Sequence, residues 1–151
     1  MAKNTRSTAF RKIDVDAYNE DQYKDEDQEQ DATTVGPDEE EVTKLLQMNR
    51  NVEALKMALK NPPLKTRNQA LKDRATQLVV RVLCSFRQAD IESAVQSLDK
   101  DQIDLIMKYI YKGFEFPQDG SSSVLLAWHD KVYQVGGNGC IVRVLTDRRR
   151  L

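Results

Sequence analysis

Charge is divided along this chain so unevenly that only one part of it can build a core. Residues 1–41 hold 13 Asp/Glu against 5 Lys/Arg, a net of −8, whereas residues 42–151 hold 11 against 18, a net of +7, and the formal total of −1 conceals the division. From 18 to 31 the sequence reads YNEDQYKDEDQEQD, seven acids and one lysine with almost nothing apolar to bury. Such a stretch cannot recover its ordering entropy alone, so it is expected to be disordered in isolation. The remainder is one domain's worth of a 151-residue chain, and a hydrophobic fraction of 40% suffices for a single compact core. The expected organisation is therefore an acidic arm over 1–36 and a folded body over 37–151.

Upstream of the acidic run the texture changes. In AFRKIDVDAY, residues 9–18, Phe10, Ile13, Val15 and Tyr18 are separated by charged residues. An extended backbone would show Ile13 and Val15 to one surface and Asp14 and Asp16 to the other. Sparse anchors of this kind suit a segment docking on a partner. A solubilising tail is the competing reading. The anchors favour docking, with Phe10, Arg11, Ile13, Val15 and Tyr18 as the candidate contacts.

The body reads as helix after helix. Asp38 is placed to cap a first helix, with Glu41 at the capping-box position and Val42, Leu45 and Leu46 at helical spacing. That helix should fade near Asn49. A second runs from Asn51 through Val52, Leu55 and Leu59 to the stop Asn61-Pro62-Pro63. Between 66 and 86, Leu71, Ala75, Leu78, Val82 and Phe86 recur at intervals of three and four. Val79, Val80 and Leu83 widen the stripe, and Arg74, Gln77, Arg81 and Ser85 line the opposite side. This helix is expected to be central.

Asp90 should cap a short helix carrying Ile91, Ala94, Val95 and Leu98. Asp99 or Asp101 should open another with Ile103, Leu105, Ile106, Tyr109 and Ile110, ended by Gly113. Along it Asp104, Lys108 and Lys112 fall at i, i+4 steps in the order that the helix dipole favours. Serines 121 to 123 offer caps for a helix through Val124, Leu125, Trp128 and Val132, terminated by Gly136-Gly137. CIVRVL, residues 140–145, follows an Asn138-Gly139 pair, and strand and helix are evenly matched there. A closing helix is the more economical choice, since no other convincing strand exists to pair with. The expected fold is all-α, an irregular, superhelix-like array of six or seven short helices without the fixed period of a repeat protein.

Chemistry is hard to place on this chain. His129 beside Asp130, a few residues after Ser121 to Ser123, suggests a catalytic set only on paper. Adjacent helical residues point apart, and no glycine elbow presents a serine. GGNG at 136–139 lacks the Lys-Ser/Thr ending of a phosphate loop. The acidic run lacks the glycine and spacing of a calcium loop. Cys84 and Cys140 have no metal or disulfide spacing and read as reduced core thiols. Dispersed cations and the Arg148-Arg149-Arg150 cluster read as solvated surface; nucleic-acid binding by the basic body is the runner-up function. No apolar run approaches the ~20 residues of a membrane span, so a soluble, intracellular protein without cofactor, metal or catalytic residues is expected.

Four strings carry a resemblance: ALKNPPLKTRNQALKDRA at 58–75, AVQSLDKDQIDLIMKYIYKGFE at 94–115, LLAWHDKV at 125–132 and GGNGCIVRVL at 136–145. With FRKIDVDAY at 10–18 and GPDE at 36–39, they closely resemble subunit 5 of the actin-related protein 2/3 complex, in order and over nearly the whole chain. Two departures are local: Ala127 stands where that family commonly has glutamine, and the ending TDRRRL differs. The resemblance implies an all-helical, non-catalytic subunit of a cytoplasmic hetero-oligomer that nucleates branched actin filaments at the cortical cytoskeleton. ATP would be held by the actin-related subunits and not by this chain. It further implies that the body docks on a β-propeller subunit and a scaffolding subunit while the arm reaches an actin-related subunit. The candidate body contacts are Lys108, Tyr109, Tyr111, Lys112 and Phe114, within MKYIYKGFE, and Trp128.

Overall fold

The structure, a computed structural model, describes residues 36–117 and 120–151. The arm expected at 1–36, with its docking segment 9–18, lies outside the described residues except for Gly36. Among the described residues the fold is all-α, with six helices and no strand: α1 (Glu39–Gln47), α2 (Asn51–Ala58), α3 (Gln69–Cys84), a 3₁₀ turn (Gln88–Asp90), α4 (Ile91–Gln96), α5 (Lys100–Glu115) and α6 (Ser121–Thr146).

The helix boundaries follow from backbone chemistry that the sequence only partly announces. Asp38 accepts from the N–H groups of Glu40 and Glu41, which satisfies two orphan donors of α1. Met48 ends the helix and Asn49 takes a left-handed conformation at φ 58°. The Arg50 N–H then reaches the Leu45 carbonyl and the Asn49 N–H the Leu46 carbonyl, a Schellman closure built on asparagine instead of glycine. Asp99, not Asp101, opens α5 with a complete capping box to Gln102. Asp90 makes no side-chain cap, because residues 88–90 already turn as 3₁₀ helix.

Glycine is where the structure departs most from expectation. Gly113 does not end α5 but lies buried inside it, and a Cβ there would stand 2.9 Å from Leu125 Cδ1 and 3.1 Å from Val80 Cγ2. Its missing side chain lets α6 and α3 pack close against α5. α6 opens on Gly120, left-handed at φ 77° with no side-chain cap, instead of on a serine cap. Gly137, at φ 64° and ψ −167°, breaks α6 into two helical stretches, the interruption expected at Gly136-Gly137. Residues 140–145 resume as helix. There the β-branched side chains follow tertiary packing over local preference.

One core joins all the helices. Trp128, Tyr109, Leu55, Leu83, Ile91, Ile106, Met107, Ile110 and Leu125 are its largest fully buried side chains. α3 supplies Leu78, Val79, Val80, Val82 and Leu83, consistent with its central place. Trp128 of α6 donates its indole N–H to the Leu83 carbonyl at 3.1 Å and meets the Phe86 ring edge-on at 5.1 Å. The Leu83 carbonyl, in the last turn of α3, accepts from the Phe86 N–H at 3.3 Å and thus takes a second donor from 45 residues away. Cys140 is buried as expected, but Cys84 is exposed, because the last turn of α3 places it on the solvent side.

A candidate docking surface on helices α5 and α6

α5 is strongly amphipathic, and α6 packs along it more extensively than any other pair of helices. Where their outer edges meet, four rings form a continuous ladder. Phe114 and Tyr111 are edge-on at 6.3 Å, Tyr111 and His129 at 5.5 Å, and His129 stacks near-parallel on Tyr133 at 6.4 Å. The Tyr111 hydroxyl and His129 Nε2 are 3.3 Å apart, which ties the two helices through the middle of the ladder. Ser122, Leu126, His129 and Tyr133 recur along one face of α6 at helical spacing. Leu126 is 60% exposed and Tyr133 39%, and Phe116 extends the apolar rim beyond the end of α5 with Lys112 lying over its ring at 5.1 Å.

The cations around the ladder are neutralised within the chain. Lys112 pairs with Glu115 at 2.8 Å, Lys131 of α6 with Glu92 of α4 at 3.2 Å, and Lys108 with the Asp147 carboxylate. Arg143 donates from Nη2 to Asp104 Oδ1 at 2.7 Å, while its Nε approaches Oδ2 at 2.6 Å as an ion-pair contact without hydrogen-bond alignment. The i, i+4 pairing read along α5 is therefore replaced by partners on other elements for Asp104 and Lys108. The reason is that residues 143–149 fold back along α5 and bring opposite charge closer. Lys108 and Lys72 also donate to the Arg149 and Arg150 carbonyls, so the backbone of the arginine cluster is pinned and its side chains remain exposed. The Lys108 hydrogen bond, with a second from the Arg149 N–H, holds the Asp147 carboxyl below the usual carboxylate range.

Of the residues singled out in the sequence, Lys108, Tyr111, Lys112 and Phe114 come together at this surface, partly buried. Tyr109 and Trp128 do not: both are fully buried and serve the core, where helical periodicity turns them inward. The Tyr109 hydroxyl has no hydrogen-bond partner among the described residues, and burial pushes its pKa far above the ordinary tyrosine value. Phe10, Arg11, Ile13, Val15 and Tyr18 lie outside the described residues. Sequence reading missed His129, Tyr133 and Leu126 as members of the surface. The i, i+3, i+7 spacing of Leu126, His129 and Tyr133 was visible, but which side of α6 faces α5 was not. No group of His, Cys, Asp and Glu among the described residues is arranged to hold a metal ion. No helix among them is long and apolar enough to cross a membrane.

An all-helical body with an aromatic, charge-neutral surface belongs to the class of helical protein-interaction modules. The comparisons make the assignment particular. The family of the ARP2/3 complex 16 kDa subunit (p16-Arc) matches residues 9–151. Actin-related protein 2/3 complex subunit 5-C of Xenopus laevis is 54% identical over 149 residues, spanning 99% of both chains. The human actin-related protein 2/3 complex subunit 5-like protein is 50% identical over 151 residues, again 99% of both. A probable subunit 5 from Caenorhabditis elegans is 39% identical over 146 residues, 96% of this chain and 99% of its own. The chain belongs to the p16-Arc family, actin-related protein 2/3 complex subunit 5.

Proposed function

We propose that this chain is a non-catalytic subunit of the actin-related protein 2/3 complex, working in the cytoplasm and cortical actin cytoskeleton in the nucleation of branched filaments. Its body docks through the α5–α6 surface against the β-propeller and scaffolding subunits. Phe10, Arg11, Ile13, Val15 and Tyr18 engage an actin-related subunit, so the arm raises the local concentration of a mobile partner by linkage. The observation that carries the body's part in this is the ring ladder Phe114–Tyr111–His129–Tyr133, continuous across two helices and edged by exposed Leu126 and Phe116. Aromatic residues free of net charge are the usual makings of an interface core, and cations already paired inside the chain add no desolvation cost of an unpaired charge.

Affinity isolation of the tagged chain from cell extract tests this reading. Co-recovery of actin-related and propeller subunits is expected, and recovery of nucleic acid without them would favour the basic-module alternative. Deletion of residues 1–20 is expected to leave the body's docking intact while slowing filament nucleation in a pyrene-actin assay. An unchanged nucleation rate would remove the tether.

A further inference from the structure

The solvent side of α3 carries a second, differently built surface. Ala70, Arg74, Gln77, Arg81 and Cys84 follow one another at steps of four, three, four and three residues, and all five are exposed. That spacing is the seam of a helix that packs lengthwise on another helix. Arg74 and Arg81 make no ion pair or hydrogen bond among the described residues, in contrast to Lys108, Lys112, Lys131 and Arg143 of α5 and α6. Beside the seam lies a cavity of about 430 Å³, lined by Arg74, Gln77, Leu78, Arg81 and Cys84 with Glu39 from the start of α1. Ser121, the first residue of α6, lines it as well, and that helix opens on a glycine without a side-chain cap. The cavity is thus bordered by two arginines and the first residue of a long helix, against one glutamate.

We propose that this seam docks an acidic α-helix of another subunit, with carboxylates seven residues apart opposite Arg74 and Arg81. Two turns of α3 separate the two arginines by about 10.5 Å along the axis, the same rise that separates i and i+7 on a partner helix. An extended strand has no such match, because residues on one of its faces repeat every ~6.7 Å. Ala70 and Cys84 at the ends are small enough for close approach, and Gln77 sits between the charged layers as a neutral donor and acceptor. Arginine suits this role because its planar fork engages a carboxylate bidentately and is less strongly hydrated than an ammonium. The inference rests on the reading that the chain works inside an assembly, but not on the α5–α6 docking surface.

Cys84 reports on the seam directly, since it is exposed there while Cys140 is buried. Alkylation of Cys84 by iodoacetamide is measured in the free full-length chain and in the affinity-isolated complex. Protection of Cys84 in the complex is expected, with Arg74→Glu/Arg81→Glu abolishing it and raising the alkylation rate by more than about tenfold, as for loss of desolvated charge pairs. A second variant, Arg74→Lys/Arg81→Lys, keeps the charge and permits zero-length carbodiimide coupling. Both lysines should couple to two Asp or Glu residues seven apart on a single helix of one partner subunit. Equal alkylation rates in the free and assembled chain, or coupling to scattered carboxylates of several chains, would overturn the proposal. Recovery of no partner subunit at all would instead overturn the assembly reading, and this inference with it.

Discussion

The two outer surfaces of the body use charge in opposite ways. Along α5 and α6, Lys108, Lys112, Lys131 and Arg143 are paired with carboxylates of the same chain, leaving an aromatic ladder as the feature that a partner would meet. Along α3, Arg74 and Arg81 stand beside a cavity without an ion pair or hydrogen bond among the described residues. Charge neutralised internally is committed to holding this chain together, whereas unpaired charge on a regular seam is available to another chain. The first surface should therefore be sensitive in stability experiments, and the second only in binding experiments.

The largest expected effect falls at Trp128. Trp128→Ala removes a fully buried ring and one of the two donors to the Leu83 carbonyl. It should cost about 3–5 kcal/mol in denaturant unfolding. A loss under about 1 kcal/mol would deny the ring a core role. Gly113→Val tests the close approach of α5 to α3 and α6. The added branches meet Leu125 and Val80 at once, and a loss of about 1–3 kcal/mol is expected from overpacking. Tyr109→Phe has the opposite sign. Removing a buried hydroxyl that has no partner should raise stability by about 1 kcal/mol, read as a higher urea midpoint with unchanged slope.

Smaller effects sharpen the charge contrast. Lys108 holds the Asp147 carboxyl below its ordinary range, so the native state binds that proton less readily than the unfolded chain. The stabilisation is complete above the ordinary carboxylate value near about 4 and is lost as pH falls through the lower native value. Asp147→Asn should flatten the acid limb of stability against pH, by less than ~1 kcal/mol because the pair is partly exposed and screened. Arg74→Ala should change stability by no more than about 0.5 kcal/mol, since its side chain is exposed and makes no ion pair or hydrogen bond among the described residues. A larger loss would mean that the α3 arginines belong to the fold.

Helix positions were legible in the sequence because apolar periodicity and caps such as Asp38 and Asp99 are local signals. What decided the rest was not local. Gly113 reads as a stop until Leu125 and Val80 are seen pressing on it, because a helical glycine can serve close packing as well as termination. Cys84 follows an apolar run and looks buried, but the last turn of α3 rotates it outward. Lys108 offered Asp104 and Lys112 as helix neighbours, and its actual partner lies 39 residues along the chain. At the candidate surface, MKYIYKGFE carried Tyr111 and Phe114 in plain view. The His129–Tyr133 half depends on how α6 lies against α5, which no pattern within α6 specifies.

The claim that the body docks through the α5–α6 surface is tested most directly by Leu126→Glu/Tyr133→Glu. Both side chains are exposed, so the far-UV spectrum should match the parent chain, with a modest fall in the unfolding midpoint because Tyr133 gives up its stack on His129 and its hydrogen bond to Asn138. Affinity isolation of the parent and the double variant from cell extract, with quantification of the co-recovered actin-related and propeller subunits, separates the outcomes. The account predicts stoichiometric recovery with the parent chain and loss of those subunits with the folded double variant; equal recovery with both would contradict it.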